Sequence, residues 1–329
     1  MGMREVFDRA KAENRAALIV YITAGDPTLA ATVEIALALR EAGADLVELG
    51  IPYSDPLADG PVIQAAGQRA LAAGTTVAGV LQAAREIRER ERVASPASPL
   101  SETERGSGLT PHPPLPARIL PESAGERGRQ GTGETPVPPA EEPGGTPGLP
   151  LLIMTCFNPI LQFGPERFAQ EAAAAGVSAV LVSDLPPEEA GEWREIAARH
   201  GLETVFLVTP VSDPERRALA MEASTGFVYV VSRAGTTGVR ESLPEELPGL
   251  LERLRELTDR PLAVGFGISR PEHVAAVAQI ADGAIVGSAV VRVIGERGAG
   301  DEMLKAVGDM VRELAEATRY SSATGNQHG

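Results

Sequence analysis

The stretch Ala44-Asp45-Leu46-Val47-Glu48-Leu49-Gly50-Ile51-Pro52-Tyr53-Ser54-Asp55-Pro56-Leu57-Ala58-Asp59-Gly60-Pro61 opens as an apolar strand and breaks into a loop rich in Pro and Gly. Side chains alternate faces along a strand, so Leu46, Glu48 and Gly50 point one way while Val47, Leu49 and Ile51 point the other. A carboxylate therefore sits among aliphatic neighbours. Glu is almost never fully buried without a partner, and desolvation raises the pKa of one that is, which suits it to exchanging protons near neutrality. The loop carries Asp55 and Asp59 and brings a second carboxylate back over the strand end. Two carboxylates in different environments can hold different roles. The plainer alternative stays open on these residues alone: Glu48 pairs with a Lys or Arg, and Asp55 and Asp59 shape turns beside Pro and Gly.

Upstream, Ala17-Leu18-Ile19-Val20-Tyr21-Ile22 is a short run with β-branched and aromatic residues, ended by Thr23-Ala24-Gly25-Asp26-Pro27. That is a strand and a turn. Thr28 to Gly43 carries Leu, Ile and Val at helical spacing and ends in Gly, so a helix leads into the strand of Glu48. Met3 to Asn14 reads as an amphipathic helix capping one end of the domain. Downstream, a second helix runs from about Val77 to Arg92. Strand-like runs recur at Leu151 to Cys156, Ala179 to Ser183, Thr204 to Val208, Phe227 to Val231, Leu262 to Phe266 and Gly283 to Val286, with amphipathic helical stretches between and after them. With the two earlier strands they make eight. Near-continuous aliphatic strands, each followed by a returning helix, are the pattern of a buried parallel sheet, and eight such units close into a (β/α)8 barrel. A doubly wound open sheet is the competing architecture, and no Gly-x-Gly-x-x-Gly turn follows the first strand to support it.

Val93 to Pro150 breaks the alternation. Its 58 residues hold 13 Pro and 9 Gly and no Phe, Trp or Tyr, a composition expected of a disordered segment. The expected organisation is thus a first barrel part over 1–92, a Pro/Gly-rich disordered insertion over 93–150, a second barrel part over 151–320 and a frayed tail over 321–329. Lying between a helix and the next strand, the insertion emerges at the N-terminal face of the barrel, away from the face that carries active sites. A docking tail for a partner with aromatic grooves is its alternative use.

The 329 residues are 43% apolar, enough for a large buried core, and the formal net charge is -15. Nucleic acid and anionic membrane would repel such a chain, and no basic cluster offsets the average. A single cysteine, Cys156, excludes an internal disulfide framework and fits a reducing compartment. No apolar run reaches the roughly 20 residues that span a bilayer. A soluble cytoplasmic protein is expected.

Chemistry in such a barrel belongs at the C-terminal strand ends and the loops after them. Glu48 is expected there, with Asp59 in the following loop. A second constellation comes late in the chain: Ser232-Arg233-Ala234-Gly235-Thr236-Thr237-Gly238, Gly265-Phe266-Gly267-Ile268-Ser269 and Gly287-Ser288-Ala289. Backbone N–H groups in Gly turns and at helix N-termini bind phosphate oxygens, and three such segments converging on one end of a barrel point to a phosphate site. Arg233 either pairs with phosphate or sits on an exposed lid. Of the four histidines, His112 falls in the insertion, His328 in the tail, and His200 and His273 on helices expected to be distant from the strand ends. No triad or metal cluster is readable, so a carboxylate pair must carry any acid–base work. Trp193 reads as packing.

These residues resemble a known family. Glu48-Leu-Gly-Ile-Pro-Tyr-Ser-Asp-Pro-Leu-Ala-Asp-Gly-Pro61 is similar to the signature of the tryptophan synthase alpha chain, and Tyr229-Val-Val-Ser-Arg-Ala-Gly-Thr-Thr-Gly238, Val264-Gly-Phe-Gly-Ile-Ser269 and Gly287-Ser288 resemble its later motifs in the right order. The resemblance covers essentially everything outside the insertion. It implies a (β/α)8 barrel that cleaves indole-3-glycerol phosphate to indole and glyceraldehyde 3-phosphate. It also implies an alpha2-beta2 heterotetramer with a beta chain that holds pyridoxal phosphate, and no cofactor on this chain. By the same resemblance Glu48 is the acid–base residue, and Asp59 accepts a hydrogen bond from the indole N–H. Thr237, Gly238, Gly267, Gly287 and Ser288 map to the phosphate site, and Tyr21, Tyr229 and Gly265 to further substrate contacts. Arg233 to Leu243 map to a mobile lid, and Pro52, Asp55 and Asn158 to the surface facing the beta chain. Two departures stand out: the insertion, and Met154-Thr155-Cys156-Phe157-Asn158 where relatives often carry a Tyr. A second reading keeps the barrel as a catalytically weak subunit that mainly activates its beta partner. A third, another phosphate-binding barrel enzyme, is disfavoured by the 48–61 motif.

Overall fold

The computed structural model describes residues 2–56, 59–94, 148–232, 243–265 and 267–320. Most of the expected insertion, Arg233, Thr237, Gly238, nearly all of the expected lid and the expected frayed tail lie outside those residues.

Eight parallel strands close on themselves in sequence order: β1 (Ala17–Thr23), β2 (Leu46–Gly50), β3 (Leu151–Thr155), β4 (Ala179–Val182), β5 (Glu203–Val208), β6 (Val228–Val231), β7 (Leu262–Gly265) and β8 (Gly283–Val286). The ring closes through β1 and β8, with Ala17 opposite Gly283 and Val20 opposite Val286. Among the described residues the helices are α1 (Met3–Ala12), α2 (Leu29–Glu41), α3 (Pro61–Ala72), α4 (Val77–Ala94), α5 (Phe157–Phe163), α6 (Pro165–Ala174), α7 (Gly191–Arg199), α8 (Pro214–Ala223), α9 (Leu247–Arg255), α10 (Pro271–Ala278), α11 (Ser288–Arg297) and α12 (Asp301–Glu316). The (β/α)8 expectation holds.

Strand alternation sorts the core into two bodies. Outward residues such as Leu18, Val20, Ile22, Val47, Leu49 and Ile153 pack against the helix ring together with Phe168, and with Trp193 in the packing role expected of it. Inward residues, among them Ile19, Leu46, Leu152, Leu181, Val205, Tyr229 and Ile285, fill the barrel itself, as layers of side chains do in this architecture. Helix α1 closes the lower end, its Met3, Val6, Phe7 and Ala10 joining the inner cluster. That is the capping role read from its amphipathic pattern. At the same end, buried Asp45 accepts from the Leu18 N–H at 2.8 Å and from the Arg15 guanidinium at 2.5 and 2.8 Å. The loop before β2 is thereby fastened to the start of β1, and the charge is compensated where it is buried.

Two details differ from the expectation. Helix α3 begins inside the quoted loop stretch and fills residues before Val77 that were assigned no element: Pro61 takes its first position and Gly60 its N-cap, a placement that suits a residue without an N–H. The second concerns the insertion boundaries. Helix α4 continues to Ala94, and Gly148 to Pro150 already belong to the barrel. Leu149 is buried, its N–H donates to Oε1 of Glu91 at 2.9 Å, and Pro150 accepts from the Val47 N–H at 3.2 Å. Glu91 is buried as well and is paired with Arg40 at 2.8 Å.

Candidate active site at the mouth of the barrel

Glu48 is the third of five residues in β2, two short of the strand's C-terminal end, and its side chain is fully buried. In the sheet it stands between Tyr21 of β1 and Leu152 of β3. Neither carboxyl oxygen has a hydrogen-bond partner among the described residues, so no described Lys or Arg neutralises it. Burial pushes its pKa up from 4.5 to about 8, and the nearby charge of Asp59 adds to the rise. A neutral carboxyl group near pH 7 is the result, a stored proton inside an apolar barrel.

Asp59 reaches this region from the loop between β2 and α3. Gln64, on the first turn of α3, donates its amide to the carbonyls of Asp59 at 2.9 Å and Pro56 at 3.1 Å, fixing the loop backbone. The Tyr53 hydroxyl donates to Oδ2 of Asp59 at 3.1 Å. Burial raises the Asp59 pKa while the Tyr53 hydrogen bond lowers it. Helix α3 is held in turn by Arg69, whose guanidinium grips buried Asp26 in the β1–α2 loop with two bonds of 2.8 and 2.7 Å.

Between these groups and the late glycines lies an open cavity with about 460 Å³ of atom-free space, lined by Tyr21, Asp59, Ile63, Met154, Tyr229, Gly267, Ile268, Ile285, Gly287 and Ser288. Asp59 shares this wall with Gly267, Gly287 and Ser288. Gly267 adopts φ +87°, a conformation few other residues tolerate. Gly287 and Ser288 are the N-cap and first residue of α11, where unpaired N–H groups and the helix dipole favour an anion. Glu48 does not line the wall; it lies beside the cavity, close enough for its charge to raise the pKa of both Tyr21 and Tyr229. Tyr21 and Tyr229 pass over two glycines, Gly50 and Gly265, at which any Cβ would collide with the tyrosine hydroxyls. Those glycines make room for the rings.

The tryptophan synthase alpha chain family model matches residues 7–100 and 143–319. The chain belongs to the tryptophan synthase alpha chain family. It is 43% identical over 289 residues to the alpha chain of Solibacter usitatus, covering 88% of this chain and 87% of that one, and 37% identical over 318 residues to the alpha chain of Arabidopsis thaliana, covering 96% and 95%. Among solved structures it resembles tryptophan synthase of Mycobacterium tuberculosis, with a TM-score of 0.74, 33% identity and coverage of 97% and 98%. The alpha subunit from Legionella pneumophila follows at 0.73 and 32%, again with 97% and 98% coverage. The family model leaves residues 101–142 unmatched, inside the stretch whose composition set it apart. The family's reaction is the lyase cleavage of indole-3-glycerol phosphate in tryptophan biosynthesis.

Of the residues singled out from sequence, Tyr21, Asp59, Tyr229, Gly267, Gly287 and Ser288 meet on the cavity wall, with Glu48 and Gly265 beside it. Asp55 and Asn158 are exposed and Pro52 half-buried. One expectation is corrected. His273 is not distant from the strand ends: it sits in the first turns of α10, and its Nδ1 accepts from the Ser269 N–H at 3.4 Å in the loop after β7. Sequence reasoning missed Tyr53 and Gln64. Both lie in or just after the quoted stretch, yet nothing in their spacing says that they turn toward Asp59. Among the described residues no group of His, Cys, Asp and Glu could hold a metal ion, and no helix is long and apolar enough to cross a membrane.

Proposed function

We propose that Glu48 and Asp59 divide the cleavage of indole-3-glycerol phosphate between them. The observation that carries this is the buried Glu48 carboxyl, unpartnered and raised to about pH 8, beside a cavity that has Asp59 on its wall. Protonated Glu48 gives its proton to C3 of the indole ring. As C3 becomes tetrahedral the ring nitrogen turns positive, and Asp59, accepting the N–H, stabilises that charge. Glu48, now a carboxylate, takes the proton of the glycerol hydroxyl next to the ring. The C–C bond breaks, its electrons return to the ring, and indole and glyceraldehyde 3-phosphate leave. Glu48 ends protonated, as it began. Each carboxyl group acts where charge appears in the transition state, contributions worth roughly 10² to 10⁴ in rate apiece.

Gly267, Gly287 and Ser288, together with Thr237 and Gly238, hold the phosphate through backbone N–H groups and the end of α11. Tyr21, Tyr229 and Gly265 shape the wall for the ring, and Arg233 to Leu243 form a lid that excludes water and retains indole. Pro52, Asp55 and Asn158 face a beta chain that carries the pyridoxal phosphate of an alpha2-beta2 assembly in the cytoplasm; this chain needs no cofactor of its own. The reading as a catalytically weak subunit that mainly activates its partner is not favoured, since it gives no role to a buried Glu48 beside a cavity lined by Asp59, Gly267 and Gly287.

The test is indole release from indole-3-glycerol phosphate by purified protein, with beta chain added, for the natural chain, Glu48→Gln and Asp59→Asn. Glu48→Gln is expected to abolish turnover while still binding substrate. Near-normal turnover in either variant removes that residue from its role.

A further inference from the structure

We propose that Tyr53 is a positioning residue for this cleavage: its hydroxyl, hydrogen-bonded to Oδ2 of Asp59, fixes that carboxyl group so that Oδ1 is left for the indole N–H. The inference rests on the reading of Asp59 given above. Its basis is geometric. Tyr53 and Asp59 belong to one loop, six residues apart, and the hydroxyl donates to the carboxyl group at 3.1 Å. Gln64 holds only the backbone of Asp59, so the side chain's orientation depends on the phenol. Tyr53 is half-buried, with the Cys156 thiol beside it. Its hydroxyl interacts with that thiol, just past the end of β3, as well as with Asp59.

The same bond opposes the effect of burial on Asp59. A hydrogen bond to the charged form favours that form, and it does so here against desolvation. Among the described residues, the ionisable groups facing Asp59 are Tyr21 from β1, Glu48 from β2, Tyr53 from its own loop and Cys156 from beyond β3. None of the four is a cation. Tyr53 is the donor that favours the Asp59 carboxylate within this group.

Tyr53→Phe keeps the ring and deletes the donor. A hydrogen bond to a charged group accounts for roughly tenfold or more in an equilibrium or rate, so kcat/KM for indole-3-glycerol phosphate is expected to fall about tenfold. The acid limb of its pH profile, which needs Asp59 ionised, is expected to move up by about one pH unit. The alkaline limb, set by Glu48, is expected to stay. A loop that had merely loosened would lower the profile without moving one limb alone. The second measurement is the same substitution in an Asp59→Asn background, where the loss from Tyr53→Phe should vanish; a loss that persists there overturns the inference. So does a Tyr53→Phe profile that matches the natural enzyme in height and acid limb while Asp59→Asn alone is crippled. If Asp59→Asn keeps full turnover, the reading of Asp59 falls, and this inference with it.

Discussion

Glu48 should make the protein less stable as pH rises, and Glu48→Gln should remove that dependence. The carboxyl group is held at about pH 8 in the folded chain against 4.5 when free in water. Between those values the unfolded chain has lost a proton that the folded chain still binds. Stability therefore falls with rising pH across the window, because unfolding releases the proton. Each pH unit is worth about 1.36 kcal/mol, so the full cost approaches about 5 kcal/mol above pH 8 and is absent below pH 4.5. Between about pH 5.5 and 8.5 the stability of the natural protein should drop relative to Glu48→Gln by about 3 kcal/mol. For a domain of this size that is a relative Tm change of about 6 to 12 °C. A buried Gln carries its own cost for unpaired polar atoms, but that cost does not depend on pH. The assay is thermal or urea unfolding of both proteins across this range, and the quantity of interest is how their difference changes with pH. Parallel curves would show that the Glu48 carboxyl is not held neutral by the fold, and the proton source assigned to it would go with that result.

Since the reaction begins with Glu48 protonated, kcat/KM should decline above an apparent pKa near 8, and a profile flat to about pH 9.5 would contradict the assignment. Gly50→Ala and Gly265→Ala each put a methyl group against a tyrosine hydroxyl; both should fold with modest loss of stability and lose roughly tenfold or more in turnover as Tyr21 or Tyr229 shifts, measured as indole release. Excising residues 101–142, which the family model leaves unmatched, should keep indole release near that of the full chain; a variant that folds but loses most of its activity would refute this.

The strands were legible because a sheet buried on both faces demands aliphatic side chains at every position, and runs such as Ala17 to Ile22 and Phe227 to Val231 carry that demand in full. Their number and spacing then selected the barrel. Helix α3 was not legible. It begins with Gly60 and Pro61, has Gly67 inside it, and buries only Ala66 and Ala70, too thin a stripe to register as periodicity. The true return to the barrel at Gly148 was hidden for a similar reason: Gly148, Leu149 and Pro150 share the composition of what precedes them. Only the Glu91 contact marks Leu149 as core. At the site, the apolar surroundings of Glu48 foretold its raised pKa, since burial is the property that alternation reports. Tyr53 and Gln64 escaped because beyond the strand end no period constrains direction, and a loop residue's partner depends on φ and ψ values that a sequence does not spell. His273 was misjudged on that account, being assigned to a helix without regard to how near that helix starts to β7.

The clasp of Glu91 on Leu149 and Arg40 has a practical corollary. It joins the two ends of the barrel wall below the chemistry, so the seam between Ala94 and Gly148 is a natural port for foreign sequence. A fluorescent module or an affinity handle grafted there would ride on the rear of the scaffold and leave the front free to turn over.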